Sequence, residues 1–178
     1  FRSRTAAGFN RRWKEMVYPI WVERSLGSKL WDVDGNEYID LLNGFGPNFL
    51  GHSPDYITAA IEDQLHRGFE IGPQTMLAGE VAEMICQLTG MDRVSFTCSG
   101  SEAVQAAMRL SRTVTARDKI VLFSKDYHGN FDQVLVRDAN QPSRLRTLPS
   151  APGLPLQSVD DTYVLEYGSA ESLEIIRR

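Results

Sequence analysis

The chain has 178 residues, of which 42% are hydrophobic and 24% charged, and this composition is typical of an ordinary soluble globular domain. A formal net charge of −4 gives no basis for binding to nucleic acid or to an anionic membrane, and no apolar run approaches membrane-spanning length. Two cysteines, Cys86 and Cys98, cannot build a disulfide framework and lack metal-ligand spacing to a histidine. We therefore predict free thiols, no metal site and a cytoplasmic location.

The sequence of the first fifty residues predicts a small segment that contains both helix and strand. A helix is expected over residues 5–17, ended by Pro19, and a strand over residues 20–24. Residues 29–33 and 37–41 flank Asp34-Gly35-Asn36, and Asp-Gly between two β-prone runs is typical of a hairpin. Residues 43–54 contain three glycines and two prolines, which indicate an irregular loop.

Two amphipathic helices follow this loop. The first is predicted over residues 55–68, with Gly68 as its stop. The second begins after a turn at residues 72–75 and ends at Gly90. Its apolar stripe consists of Leu77, Val81, Met84, Ile85 and Leu88.

Residues 94–102 predict a strand, a tight turn and the start of a helix. Ser99 lies three residues before Glu102, which is the spacing of a capping box, so the helix is expected to begin at Gly100. The N–H groups of the first turn have no carbonyl partner within the helix and stand at the positive end of its dipole. Such a turn can bind a phosphate, although most turns of this kind only cap a helix.

A second polar loop follows the next predicted strand, residues 119–124. It contains Tyr127, His128 and Gly129, and ligands of open α/β sheets lie beyond the carboxyl ends of strands. We therefore expect the Tyr127 loop and the turn at Ser99 to face one crevice. Residues 133–137 can form a strand or a short helix, residues 138–158 a loop, and residues 163–167 a strand. Ser169 can cap a last helix.

These motifs together resemble the class III aminotransferases, a family of fold type I that includes glutamate-semialdehyde aminomutase. The resemblance is carried by residues 99–103 (Ser-Gly-Ser-Glu-Ala), 127–129 (Tyr-His-Gly), 30–40, 46–52 and 89–94, in the family's order. The segments Gly44–Asn48 and Gly72–Thr75 are most similar to aminotransferase domains within hybrid polyketide/non-ribosomal peptide synthetases.

The resemblance implies an α/β fold, the first part of a fold type I transferase. Residues 1–50 would belong to its small N-terminal part and residues 51–178 to an incomplete large domain. The implied cofactor is pyridoxal 5′-phosphate, and the implied assembly is a homodimer. By motif, the phosphate contacts would be Ser99, Gly100 and Ser101, and the ring contact Tyr127 with its neighbours His128 and Gly129.

The resemblance also implies a substrate region and a reaction. Phe45 and Asn48 are candidate substrate contacts, and an amino group would pass from an amino-acid donor to a keto or aldehyde acceptor. In a synthetase, that acceptor would be a β-ketoacyl chain on a carrier protein. No lysine lies where the family has the one that binds the cofactor covalently. We therefore expect this chain to be an N-terminal fragment without the catalytic lysine, inactive alone.

Two other interpretations remain open at the level of sequence. An aminomutase would use the same cofactor and return the amino group to the same molecule. An inactive fragment or interface module would keep the family's motifs without its chemistry.

Overall fold

The computed structural model describes residues 20–69, 75–139 and 147–177. The described residues fall into two compact units, one reaching to Met84 and the other beginning at Ile85. The predicted helix over residues 5–17 and most of the predicted turn at residues 72–75 lie outside the described residues.

The first unit contains a three-stranded antiparallel sheet. Strands β1 (Val22–Leu26), β2 (Lys29–Asp32) and β3 (Glu37–Ile39) are adjacent in chain order. The hairpin predicted around Asp34-Gly35 is therefore confirmed. Leu26 pairs with Lys29 across one turn, and Trp31 pairs with Glu37 across the other.

The carboxylate of Asp32 organises the second of these turns. Its Oδ1 accepts the backbone N–H groups of Asp34 (3.0 Å) and Asn36 (2.8 Å). Its Oδ2 accepts the Asn36 side-chain amide (3.0 Å) and the Tyr38 hydroxyl (2.8 Å). These donors, the Asn36 side chain first, lower the pKa of Asp32. The charged form of a buried residue is thus held by four hydrogen bonds.

Two helices follow the loop of residues 43–54, as predicted. Helix α1 is Asp55–Arg67, and its C-cap residue Gly68 donates its N–H to the carbonyl of Gln64. Helix α2 is Met76–Thr89, followed by Gly90 with positive φ. The loop itself contains a short 3₁₀ turn, Asn43–Phe45.

The second unit is built on two parallel strands and a long helix. Helix α3 is Gly100–Thr115, strand β4 is Ile120–Phe123 and strand β7 is Thr162–Leu165. Strands β4 and β7 pair in parallel, with Ile120 opposite Thr162 at one end and Phe123 opposite Leu165 at the other. Met108 of α3 packs with Leu122 and Val134 in a small core.

The connection between these two strands carries more structure than its prolines predict. Residues 133–137 contain the end of a 3₁₀ turn (Asp132–Val134) and the start of strand β5 (Val136–Asp138), so both alternatives occur. The loop predicted over residues 138–158 was partly wrong. It contains strand β6 (Thr147–Pro149), which pairs with β5, and the start of a 3₁₀ turn, Leu156–Val159. Val159 is fully buried, so packing outweighs local turn propensity here. The predicted last helix is α4, Ala170–Arg177.

The strand predicted over residues 94–98 was wrong for the structure as described, because residues 94–97 have no regular secondary structure and Cys98 lies in a bend. A strand needs partners for its N–H and C=O groups. Among the described residues, the parallel sheet consists of β4 and β7 alone, and neither pairs with residues 94–98.

In the described ranges, no helix combines the length and apolar character that crossing a bilayer requires.

The hydrogen bonds of Asp32 predict a specific acid sensitivity. A lowered pKa in the folded state contributes stability that is present above the unfolded pKa and lost as the pH falls through the folded value. Asp32→Asn removes this contribution. We expect urea unfolding to give a lower free energy at neutral pH for the variant, and a smaller loss between neutral pH and about pH 3.

Asp34→Asn is the matched control, since the Asp34 carboxylate lies outside this set of hydrogen bonds. For this variant, the free energy of unfolding should fall with decreasing pH as much as it does for the wild type. Equal acid sensitivity of Asp32→Asn and the wild type would contradict the prediction.

Candidate functional site

The N-terminus of α3 has the predicted capped geometry. Ser99 is extended (φ −152°, ψ 156°), its Oγ accepts the N–H of Glu102 at 3.3 Å, and its carbonyl accepts the N–H of Ala103. The cap therefore occupies the Glu102 N–H, as the capping-box spacing predicts. The N–H groups of Gly100 and Ser101 remain as the first-turn donors that have no carbonyl partner within the helix.

The predicted Tyr127 loop contacts this helix end directly. The N–H of Asn130 donates to Ser101 Oγ at 2.9 Å. Because the Ser101 oxygen accepts this bond, its hydroxyl hydrogen is free to be donated elsewhere. The two motifs predicted to share a crevice are thus joined in the second unit.

Gly129 is the residue that permits this approach. It is buried and has φ +121°, a conformation that side chains rarely adopt. A Cβ at this position would lie 3.1 Å from Ser101 Oγ and 3.2 Å from Ser101 Cα. A larger residue at 129 would force the loop away from the helix.

The other two residues of the motif have different environments. The Tyr127 side chain is 65% exposed, so a face of its ring is available for stacking. His128 is half-buried and helps to line a cavity of about 230 Å³ beyond the carboxyl end of β4. The polar part of this lining also includes Ser124, Lys125 and Arg137.

The base of the Tyr127 loop is anchored to the end of β7. Ser124 donates its N–H to the Leu165 carbonyl (2.8 Å) and its hydroxyl to the Glu166 carboxylate (2.8 Å). The Phe123 and Tyr167 rings meet edge to face at 5.1 Å between centroids. Sequence reasoning missed Ser124, Glu166 and Asn130. Ser124 and Glu166 become neighbours only when β4 and β7 pair in parallel, and spacing in the sequence does not reveal that pairing.

The candidate substrate residues lie in the first unit. Phe45 is 70% exposed, and the Asn48 side chain packs over Gly44, where a Cβ would lie 3.2 Å from Asn48 Nδ2. Asn48 Nδ2 is also 3.4 Å from His52 Nδ1. The role of these residues stays a prediction.

Each of the three described lysines faces a carboxylate. Lys29 pairs with Glu37 (2.6 Å), Lys119 with Asp161 (2.8 Å) and Lys125 with Glu166 (3.7 Å). The hydrogen bond that Lys119 donates to the Asp161 carboxylate raises the pKa of Lys119. This pairing favours the protonated amine of Lys119, which is not nucleophilic. Among the described residues, no group of three His, Cys, Asp or Glu side chains is arranged to bind a metal.

Comparison with known proteins identifies the family of this chain. The model of the family "Aminotransferase class-III" matches residues 9–178. A glutamate-1-semialdehyde 2,1-aminomutase of Bacillus pumilus is 35% identical over 158 residues, which are 88% of this chain and 36% of that protein.

Two solved structures show the same fold. One, described as a transaminase with PLP bound, has a TM-score of 0.81 and 34% identity, covering 90% of this chain and 38% of that one. The other is an omega-transaminase from Sphaerobacter thermophilus, with a TM-score of 0.82 and 28% identity, covering 89% and 38%. The predicted fold class, part of a fold type I transferase, is confirmed. The chain spans little more than a third of the length of these relatives.

The close approach at Gly129 predicts a stability cost for any side chain there. Gly129→Ala should lower the free energy of unfolding by about 1–3 kcal/mol, because the positive φ and the contact with Ser101 both oppose a Cβ. Urea unfolding measures the loss, and hydrogen exchange should show faster exchange of the Asn130 amide.

Gly100→Ala provides the control, since no atom lies within 4 Å of its added Cβ. Its stability should stay within about 1 kcal/mol of the wild type. Wild-type stability and Asn130 protection in Gly129→Ala would show that the loop does not need this contact.

Proposed function

The chain belongs to the class-III aminotransferase family, and we propose that Ser99, Gly100, Ser101 and the Tyr127 loop hold pyridoxal 5′-phosphate. The observation that carries this proposal is the hydrogen bond from the Asn130 N–H to Ser101 Oγ. It joins a helix N-terminus suited to phosphate to a loop that offers an aromatic ring. A phosphorylated aromatic ligand requires both features close together.

The residues at this end of α3 fit a phosphate group. Gly100 and Ser101 supply N–H groups at the positive end of the helix dipole. The hydroxyl of Ser101 has a hydrogen to donate, because Asn130 occupies an acceptor position on its oxygen. No atom lies within 4 Å of the position of a Cβ on Gly100, so an oxygen can approach the backbone there.

We further propose that the whole protein is an aminotransferase. The bound cofactor would supply the electron sink through which an amino group passes from an amino-acid donor to a keto or aldehyde acceptor. The family and the transaminase structures support this reaction. The finer proposal, a carrier-bound β-ketoacyl acceptor, rests on the resemblance of residues 44–48 and 72–75 alone.

An aminomutase is the second candidate, and the similarity to a glutamate-1-semialdehyde 2,1-aminomutase favours it. An ¹⁵N-labelled amino donor distinguishes the two reactions. An aminotransferase transfers the label to a separate acceptor, whereas an aminomutase returns it to the same carbon skeleton.

The remaining proposals concern assembly and domain limits. We propose a homodimer, with residues 1–50 in the small part of each subunit and residues 51–178 in its large domain. Phe45 and Asn48 would then contact the substrate, while His128 and Gly129 would shape the loop that carries Tyr127.

The phosphate proposal predicts the effect of Ser101→Ala. Loss of one hydrogen bond to a charged group should weaken binding of pyridoxal 5′-phosphate by about 1.5–3 kcal/mol, measured by absorbance titration. Ser101→Ala also removes the bond from the Asn130 N–H, so binding of pyridoxal, which lacks the phosphate, measures the loss that comes through the Tyr127 loop. The additional loss for pyridoxal 5′-phosphate measures the phosphate contact. Ser111→Ala, on the same helix beyond its first turn, is the control. Unchanged affinity in Ser101→Ala would remove this hydroxyl from the site.

The ring proposal predicts a difference between two substitutions of Tyr127. Tyr127→Ala should loosen the cofactor and shift its absorbance, whereas Tyr127→Phe should be much milder, because stacking needs the ring and not the hydroxyl. Tyr56→Ala removes a tyrosine of similar exposure in the first unit and should have no effect. If Tyr127→Phe weakened cofactor binding as much as Tyr127→Ala, the hydroxyl and not the ring would be the group that contacts the cofactor.

We predict that none of the three described lysines, each of which faces a carboxylate, is the catalytic amine. The 178-residue chain, mixed with pyridoxal 5′-phosphate and reduced with borohydride, should show no stoichiometric label on Lys29, Lys119 or Lys125 by mass spectrometry. It should also fail to transaminate an amino donor. Full labelling of Lys125 together with turnover would show that this lysine is catalytic.

A further inference from the structure

Asp40, His52 and Asn48 form a chain of side-chain contacts beneath the loop that contains Phe45. Asp40 Oδ1 accepts the N–H groups of Leu42 and Asn43, both at 2.9 Å. Asp40 Oδ2 lies 2.7 Å from His52 Nε2, and His52 Nδ1 lies 3.4 Å from Asn48 Nδ2. The exposed fraction is 15% for the His52 side chain and 8% for that of Asp40.

The backbone fixes where the His52 ring can lie. His52 and Gly27 exchange two hydrogen bonds, N–H to carbonyl in both directions, at 2.8 and 2.9 Å. Gly51 approaches so closely that a Cβ there would lie 3.1 Å from the Gly27 carbonyl oxygen. The main chain of His52 is therefore anchored to the β1–β2 turn, and this restricts where its short side chain can place the imidazole.

The charge of Asp40 determines which nitrogen of His52 carries the hydrogen. The Asn43 N–H, then His52, lower the pKa of Asp40, so its carboxylate is ionised at neutral pH and only accepts hydrogen bonds. His52 Nε2 must then donate to Asp40. In the neutral ring, Nδ1 is left as an acceptor.

From this order of donors and acceptors we infer that Asp40 and His52 are positioning residues that fix the orientation of the Asn48 side-chain amide. An acceptor at Nδ1 requires the Nδ2 of Asn48 to face it, and the amide oxygen then faces away from His52. Resting on the proposed substrate role of Asn48, this gives the loop a hydrogen-bond acceptor for an N–H-bearing group, such as the ammonium of an amino donor.

The local backbone requires this support. Asn43, Gly44, Phe45 and Gly46 all have positive φ, between 54° and 114°. Two of these residues are not glycine, and such conformations persist only where surrounding contacts fix them. Asp40 supplies one such contact by accepting the Asn43 N–H.

The test reads the tautomer of His52 directly. Long-range ¹H–¹⁵N spectra of the labelled chain at about pH 8, above the ordinary pKa of imidazole, should show a protonated Nε2 and a bare Nδ1 for His52. Exposed His66 on α1 serves as the internal reference. A protonated Nδ1 on His52 in the wild type would overturn the inference.

Asp40→Asn should invert this arrangement. The amide oxygen would stay with the Leu42 and Asn43 N–H groups, so the amide nitrogen would face Nε2 as a donor. His52 should then carry its hydrogen on Nδ1 and turn the Asn48 amide around. Asp34→Asn, the matched control, should leave the tautomer unchanged, and an unchanged tautomer in Asp40→Asn would refute the proposed order.

Asn48→Asp tests the second contact without altering Asp40. A carboxylate facing Nδ1 only accepts hydrogen bonds, so His52 should become protonated on both nitrogens. A spectrum like that of the wild type would remove Asn48 from the chain of contacts. Dispersed amide spectra establish that each variant is folded.

The substrate consequence has its own readout. In the active enzyme, Asp40→Asn should raise KM for the amino donor roughly ten- to a hundredfold with little change in kcat, since one hydrogen bond to the charged ammonium of the donor is lost. An unchanged KM together with an inverted tautomer would refute the substrate contact. The tautomer spectra need no cofactor, so their outcome is independent of whether the chain binds pyridoxal 5′-phosphate.

Discussion

The hydrogen bond from the Asn130 N–H to Ser101 Oγ is the contact on which the candidate cofactor site depends. It closes a 29-residue separation in sequence and places a loop against the first turn of α3. Two conditions make it possible. Gly129 must lack a side chain, because the loop passes within contact distance of Ser101. The start of the loop must be fixed as well, and Ser124 achieves this by bonding to Leu165 and Glu166 at the end of β7. The parallel pairing of β4 with β7 therefore holds one end of the loop, and α3 holds the other.

The charges near this site explain why backbone groups, and not lysines, would bind an anion. Lys125, the described lysine nearest the Tyr127 loop, pairs with Glu166, and the chain as a whole is acidic. Two N–H groups and a helix dipole carry partial positive charge that belongs to the backbone and depends on no titrating side chain. They are also fixed in place before the ligand arrives. Binding of a phosphate to such preorganised groups would cost little free energy for the ordering of flexible side chains.

Sequence patterns predicted the local elements well, because these elements depend on near neighbours. The cap at Ser99, the hairpin at Asp34-Gly35 and the stop at Gly68 each follow from spacing within a few residues. The pairing of β5 with β6, the burial of Val159 and the bond between Ser124 and Glu166 did not follow from spacing. They join residues that are close only after the chain has folded. The motif-derived residues Ser101 and Gly129 do meet, whereas the roles of Phe45 and Asn48 still rest on resemblance.

The contrast between helix α2 and residues 94–98 shows where this limit lies. The apolar stripe of α2 includes Leu77 and Leu88, which are largely exposed, yet the helix forms because its hydrogen bonds are internal. Residues 94–98 have an equally clear β pattern, but a strand takes its hydrogen bonds from another segment, and none of the described strands pairs with them. The helix end that follows these residues needs only its own cap and one bond from Asn130. The proposed phosphate site is accordingly a local structure, whereas the sheet that would support residues 94–98 is a long-range one.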